Sequence, residues 1–545
     1  MKSITIKKLY QLHSWVGLVT GILLFIIAFS GAVAVFALPE LKIWANEELR
    51  APIKHNPQGF EQLINEYSQK VDPVYLEEIQ IRLPATRTSQ TSRVIFEGHI
   101  QTPEGKEKHE GIVYEFHPET LKELSETDME VFFNQDKLDM ASFLAHFHAD
   151  LHLGRPVGLI LTGLLGLTLM VSIVTGLFVH RKILAQLFTF RIRKTFSLML
   201  NDGHKIMSVW AVLFHSTIAF TGAFLGLATV ILVPAAAYVG FNGDQDKLLE
   251  TFTAVKPAII SHVQQPTQLS NIIEQSLESR PDLNFRNVTI MGYGDKNALV
   301  YINGTGGEHL GGETLIYNGA TAEYIKTQAN FGRLDGVAGK ILDAMFPLHY
   351  GNFGGVLVKI LWSVLGMITA LLPITGLMLW IERGLNSQQP NHSRRTYQNF
   401  NKLLIGSCGG IVLATAALFP AQLILNTVMH GLDHTKSIFI IFFSVWIVSL
   451  LIPFVINYKT AIKLIFKLIA GLLIIVMPMD AILTSSHLFN VLETQHYVSV
   501  SVDLVLFVLG LLMLFGYKKL FSLPTEALPI DEDINQQSEQ IEKES

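Results

Sequence analysis

The chain has 545 residues, of which 49% are hydrophobic and 16% are charged, and its mean hydropathy is +0.36. Soluble globular domains carry roughly a quarter charged residues, so this composition indicates a membrane protein. The formal net charge of −5 does not point to any particular partner, and no nucleic-acid partner is expected.

Eight apolar segments are long enough to span a bilayer, for which about 20 residues are needed. Basic residues cluster before the first segment and in every second loop, so all the clusters share one side if the N-terminus is cytoplasmic. Both termini are then cytoplasmic, and the two longest loops face outward. The predicted spans lie near residues 14–38, 157–179, 206–234, 355–381, 403–426, 437–457, 464–483 and 498–517.

The predicted fold is an all-α polytopic membrane protein with two small α+β outer domains. In each long outer stretch, one helical segment precedes extended segments separated by Gly, Asn and Asp, a pattern typical of such a domain. A polar acidic tail without periodicity is expected to be disordered. The predicted units are 1–39 (first span), 40–145 (first outer domain), 146–235 (spans two and three), 236–345 (second outer domain), 346–384 (fourth span), 385–520 (four additional spans) and 521–545 (tail).

Spans one and three begin and end alike, which indicates an internal repeat. The first reads LHSWVGLVTGILLFIIAFSGA and the third reads GHKIMSVWAVLFHSTIAFTGA. The interval from His13 to Gly31 of a Ser-Gly pair equals the interval from His204 to Gly222 of a Thr-Gly pair. His13 and His204 are therefore predicted to be equivalent residues at the cytoplasmic edge of the membrane.

Spans two and four form the other half of the repeat. His148 precedes Gly176 of a Thr-Gly pair by nearly the same interval that separates His349 from Gly376 of another. Histidines that face each other from different helices are the usual axial ligands of a non-covalent haem b. The repeat therefore predicts two haems, one between His13 and His204 and one between His148 and His349. The Ser-Gly and Thr-Gly pairs are expected to serve mainly close helix packing, and also to make room for a flat porphyrin.

Other histidines remain alternatives. His180, which closes span two, could replace either inner histidine, and His152 shares a helical face with His148 and competes with it. The stretch LAHFHADLHLG, which contains His148 and His152, could instead bind a transition metal. His215 either supports an electron path or makes a satisfied polar contact within the bundle. The single cysteine, Cys408, excludes C-x-x-C-H haem attachment and cysteine-held iron–sulfur clusters.

These features resemble the PepSY-associated transmembrane proteins, also called iron-regulated membrane proteins, over roughly residues 8–384. Besides spans one and three, the resemblance rests on FHADLHLGRPVG, VTGLFVHRK and LHYGNFGGVLVKILWSVLGMITALLPITGLMLWIERG. It implies that the outer domains are PepSY domains. It also implies similarity to haem-b reductases of ferric siderophores at the bacterial inner membrane. Spans five to eight depart from the four-span pattern of this family.

The repeat and the resemblance together predict a di-haem b oxidoreductase of the bacterial inner membrane. It would pass electrons to a periplasmic ferric siderophore or other iron chelate from an unidentified donor, either a quinol or a cytoplasmic reductase. Two other functions remain open. A PepSY-based regulatory protein that restrains a peptidase would leave the repeated histidines unexplained, and a transporter would need more polar residues at the membrane midplane.

Overall fold

Among the residues that the structure describes, eight helices are long and apolar enough to cross a membrane, so the chain is a multi-pass membrane protein, as predicted. The spans are Ile4–Ala34, Val157–Val179, Val212–Gly240, Gly355–Leu385, Arg394–Thr427, His434–Val455, Tyr458–Leu483 and Tyr497–Gly516. The computed structural model describes residues 3–50, 56, 59–83, 91–101, 107–133, 138–180, 188, 196–245, 247–248, 255–307, 310–329 and 337–521. Most of the basic loop after span two and nearly all of the acidic tail lie outside these residues.

The described helices fall into three groups, which are the first four spans, the outer domains and the additional spans. They are α1 Ser3–Ala34, α2 Lys42–Ala45, α3 Phe60–Tyr67, α4 Met129–Phe133, α5 Met140–Asp150, α6 Val157–Val179, α7 Phe196–Trp210, α8 Val212–Leu227, α9 Val233–Gly240, α10 Leu269–Ser279, α11 Val337–Tyr350, α12 Gly355–Leu385, α13 Arg394–Leu404, α14 Gly410–Thr427, α15 His434–Val455, α16 Tyr458–Leu483, α17 Val491–Thr494 and α18 Tyr497–Phe521.

The first four spans pack as one helix bundle. Helix α1 contacts both α6 and α12, and α6 contacts α8. Glycines allow α6 and α8 to approach closely, because a Cβ on Gly226 would lie 2.7 Å from the Gly163 Cα. The short helices α5 and α11 precede spans two and four, and they carry the outer histidines into this bundle.

The described part of the outer region contains one eight-stranded antiparallel sheet in the order β4-β3-β2-β1-β5-β6-β7-β8. Each outer stretch supplies four of the described strands and a helix that packs on the sheet, α3 or α10, as the α+β prediction requires. The sequence predicted two domains, whereas in the structure β1 pairs with β5 and joins them edge to edge. The strands are β1 Glu78–Arg82, β2 Ser92–Gln101, β3 Glu107–Phe116, β4 Glu123–Asp128, β5 Leu283–Met291, β6 Leu299–Gly306, β7 Glu313–Asn318 and β8 Tyr324–Ala329.

The joint between the two halves of the sheet is fully apolar on one face. Ile79 lies opposite Ile290, and Ile81 lies opposite Val288, in the β1–β5 register. These four side chains are at most 1% exposed and share a core with α3 and α10. Because this pairing satisfies the backbone groups of both inner strands, it removes two edges that would otherwise be open to aggregation.

The additional spans form a second bundle around span five. This span has 72% of its most apolar window buried, against 39% or less for every other span, so it is the central helix of the bundle. Close packing on α15 depends on glycines, because a Cβ on Gly406 would lie 2.7 Å from the Leu450 carbonyl oxygen. The second bundle is thus built around a helix that is shielded from lipid.

A buried ion pair fastens the second bundle to the segment that follows α1. Arg50 donates to both carboxylate oxygens of Asp480 on α16, at 2.9 and 3.0 Å, and the two side chains are 1% and 0% exposed. The indole of Trp44 donates to Asp503 on α18 at 2.8 Å. Two aspartates inside apolar spans are thus buried partners of the first half of the chain.

Breaking this ion pair is expected to destabilise the protein strongly. Asp480→Ala would leave the Arg50 guanidinium buried without its counter-ion, which costs about 3–5 kcal/mol. The expected result is a clearly lower thermal unfolding temperature of the purified protein in detergent. Glu66→Ala is the control, because the exposed Glu66–Lys70 pair should contribute less than ~1 kcal/mol. Equal unfolding temperatures for the two variants would contradict this role of Arg50.

Candidate functional site

The structure brings the four repeat histidines together in two pairs, each formed across the repeat. The ring centroids of His13 and His204 are 6.3 Å apart, with an interplanar angle of 81°. Those of His148 and His349 are 5.9 Å apart, with an angle of 22°. An imidazole nitrogen bonds a transition metal at ~2.0–2.1 Å, so two rings on opposite sides of one iron have centroids roughly 6 Å apart. Both pairs match this separation.

The inner histidines are held by the Thr-Gly pairs of their own repeats. His13 Nδ1 donates to the Ser172 carbonyl at 3.0 Å and lies 3.1 Å from Thr175 Oγ1. His204 Nδ1 lies 2.9 Å from Thr375 Oγ1. Each threonine donates its own hydroxyl proton to a carbonyl one turn earlier in its helix, so it accepts from the imidazole.

The outer histidines are held in the same way. His148 Nδ1 donates to the Ile27 carbonyl at 3.1 Å and lies 3.3 Å from Ser30 Oγ. His349 Nδ1 lies 2.9 Å from Thr221 Oγ1, whose proton goes to the Thr217 carbonyl at 2.7 Å. Each hydroxyl–glycine pair therefore supports a histidine on the partner helix of its own repeat.

These hydrogen bonds determine which ring nitrogen can bind a metal. Neutral imidazole carries one proton, and an acceptor at Nδ1 keeps the proton there. Nε2 then has a free lone pair, which is the arrangement that polar neighbours impose on metal-bound histidines. All four rings are thus prepared for ligation through Nε2.

The glycines beside the hydroxyl groups make room for the rings. A Cβ on Gly31 would lie 2.6 Å from His148 Cε1, and a Cβ on Gly222 would lie 3.1 Å from His349 Cε1. At the inner pair the same distances are 3.3 Å for Gly176 and 3.6 Å for Gly376. The space is therefore tightest at the outer pair, and the Gly376 position alone allows ordinary van der Waals contact.

The donor set fits haem better than a bare metal ion. Among the described residues, no three or more His, Cys, Asp or Glu side chains form a group that could hold a metal ion. Two imidazoles would leave a bare ion short of ligands, whereas a porphyrin brings four nitrogens of its own and needs only two axial ligands. Along α1, the rise of the helix from His13 to Ile27 separates the inner and outer pairs by roughly 21 Å.

The alternative histidines make different contacts from the paired ones, although His180 interacts electrostatically with His204. His152 Nε2 donates to the Phe143 carbonyl at 3.0 Å, and its ring lies against Phe439 at 4.6 Å. His180 is the C-terminal cap of α6. His215 uses both ring nitrogens, at 2.8 Å from Thr369 Oγ1 and 3.1 Å from the Met207 carbonyl, so it is a satisfied polar contact within the bundle.

Sequence reasoning missed the partnership between the hydroxyl–glycine pairs and the histidines. It assigned these pairs mainly to helix packing, whereas the structure places each of them against one imidazole. The equal spacing of His13 from Gly31 and of His204 from Gly222 was the available signal. It shows that the histidines and glycines belong to one repeated unit, although each glycine touches a histidine of another helix.

The bundle with its two supported histidine pairs defines a class of multi-pass membrane protein that carries paired imidazoles at two levels. The family model of the PepSY-associated TM region matches residues 10–383, which include both pairs, the outer sheet and nearly all of the first four spans. The chain therefore belongs to this family. A search of curated proteins found no match.

Proposed function

We propose that this protein carries electrons across the bacterial inner membrane through two b-type haems and reduces a ferric chelate on the outer side. The observation that carries the proposal is the pair of imidazoles at each of two levels, each ring with its Nδ1 within hydrogen-bond distance of a hydroxyl or carbonyl oxygen. A bis-histidine haem iron supplies reversible one-electron chemistry when it is bound.

The chain's own residues would perform four tasks at each level. Two imidazoles would bind the iron through Nε2, and the serine or threonine hydroxyl would orient the ring. The adjacent glycine would leave space for the ring and the macrocycle. The surrounding apolar side chains would exclude water, which helps to set a redox potential. His13 and His204 would do this on the cytoplasmic side, and His148 and His349 on the periplasmic side.

The substrate and the direction of transfer rest on the family resemblance and on the distribution of charge. Basic residues before span one and between later spans favour cytoplasmic termini. Electrons would then enter near His13 from a quinol or a cytoplasmic reductase and leave near His349. The acceptor would be a ferric siderophore or a similar oxygen-ligated chelate, because hard oxygen ligands hold ferric iron much better than ferrous iron.

The haem content of the purified protein tests the proposal directly. Two histidine pairs predict two haems per chain by pyridine haemochrome analysis, together with a haem-b α-band in the reduced spectrum. A colourless preparation from haem-sufficient cells would overturn the proposal. A ratio near one would eliminate either the inner or the outer site.

A further inference from the structure

The helix that carries His148 contacts the additional spans as well as the first bundle, whereas the equivalent helix that carries His349 packs on α8. We infer that α14 and α15 position α5, so that the second bundle sets the ligand geometry of the outer haem site. This inference rests on the proposed function. It assigns a role to spans five to eight, for which the four-span pattern of the family supplies none.

The second bundle binds the start of α5 through backbone N–H groups that the helix itself leaves unpaired. Met140 N–H donates to Gln422 Oε1 of α14 at 2.9 Å, and Leu138 N–H donates to Thr435 Oγ1 of α15 at 2.9 Å. Gln422 is 2% exposed, and its amide is oriented by a 2.7 Å bond to Asn426 Oδ1. Two side chains of the bundle thus fix where α5 begins.

An ionised cap adds a second attachment, which joins the start of α5 to the segment after α1. Asp139 accepts from Ser142 N–H at 2.8 Å and pairs with the Lys42 ammonium at 2.6 Å. Burial raises the pKa of Asp139, but Lys42, Asn46 and the Ser142 N–H outweigh burial and hold the pKa below its ordinary value. A carboxylate at a helix N-terminus is favoured by the helix dipole. The start of α5 is therefore fixed by hydrogen bonds and by charge.

Aromatic packing fixes the rotation of α5. Phe143 and Phe147 lie one turn apart, and each has its ring centroid 5.0 Å from that of Phe442 on α15. Phe147 also lies 5.8 Å from Trp446. The three phenylalanines are at most 1% exposed. Since His148 directly follows Phe147, the direction of its imidazole depends on this contact. A binding site functions only when its ligand side chains lie within about 0.5 Å of the required positions. The packing of α5 therefore affects the position of the His148 imidazole.

The equivalent helix α11 has a different support. It packs on α8, and its Asp343 accepts from Gly311 N–H of the outer sheet region at 2.9 Å. Its Val337 and Ile341 are 75% and 50% exposed, so that side of the helix is open rather than covered by a bundle. The two helices occupy equivalent places in the repeat. They differ in their neighbours, because α5 contacts α14 and α15 of the additional spans.

The test compares Gln422→Leu and Phe442→Ala with Phe454→Ala. Phe454 lies on the same helix as Phe442 but is 46% exposed, so truncation there should change neither haem. In potentiometric titrations, the two test variants are expected to shift the midpoint potential of the outer haem or to lose that haem. The signal of the outer haem is the one that is absent in His349→Ala. The inner haem should stay unchanged and would report correct folding.

Amide hydrogen exchange supplies a second readout, one that is independent of haem. Exchange in residues 140–150 should be about tenfold faster in Gln422→Leu, because a buried N–H loses its acceptor. Faster exchange with an unchanged outer haem would overturn the inference, and so would unchanged exchange. A wild-type protein without an outer haem would instead overturn the proposed function, and this would be seen before any variant is made.

Discussion

Replacing His349 with Ala is expected to remove the outer haem, about half of the total, and to abolish reduction of an external ferric chelate. His349 supplies one of the two outer imidazoles, 5.9 Å from that of His148, and a methyl group offers no ligand to the iron. The inner haem should keep its spectrum, because His13 and His204 are held by other contacts. Pyridine haemochrome analysis and a colorimetric ferrous-iron assay measure the two effects.

The complementary variant should show the reverse loss. His13→Ala is expected to remove the inner haem, retain the outer one and block electron entry from the cytoplasmic side. His215→Ala is the matched control, because this buried histidine already uses both ring nitrogens within the bundle and should leave both haems in place. If His13→Ala and His349→Ala each kept two haems, the pairing would be wrong, and His180 and His152 would be the next ligands to test.

Adding one methyl group at Gly31 is expected to damage the outer site without touching a ligand. The new Cβ would lie 2.6 Å from His148 Cε1, and real Cβ atoms essentially never come closer than 3.0 Å to another atom. Overpacking of this kind costs about 1–3 kcal/mol. The haem affinity of the outer site should therefore fall by about five- to a hundredfold. Haem titration of the apoprotein, followed by absorbance, measures the change.

Gly376→Ala is the matched control for this prediction. Its Cβ would lie 3.6 Å from His204 Cε1, which is ordinary van der Waals contact, so the inner haem should bind normally. Gly222→Ala and Gly176→Ala, at 3.1 and 3.3 Å from their histidines, should give intermediate effects. If Gly31→Ala and Gly376→Ala changed the haem affinity of their own sites by the same factor relative to wild type, the glycines would serve helix packing rather than the imidazoles.

Local patterns in the sequence predicted much of this architecture. Each span is a continuous apolar run, so its position follows from composition over about 20 residues. All eight predicted spans are helices in the structure. The internal repeat identified His13 with His204 and His148 with His349 as equivalent residues, because equal spacing in two copies does not depend on the fold. The α+β character of the outer stretches was also readable, since strands and turns have local composition.

The contacts that complete the site depend on tertiary structure, because they join residues far apart in the chain. Thr175 and His13 meet across 162 residues, and Gln422 and Met140 meet across 282. The β1–β5 pairing that joins the two outer domains is equally non-local. A serine or threonine hydroxyl can accept a hydrogen bond from any nearby donor, so its place in the sequence does not identify its partner. The periodicity of a helix likewise does not show which other helix it meets. The sequence by itself therefore determined the spans, the repeat and the four histidines. Only the tertiary structure decided which side chains orient each ring and how the second bundle holds α5.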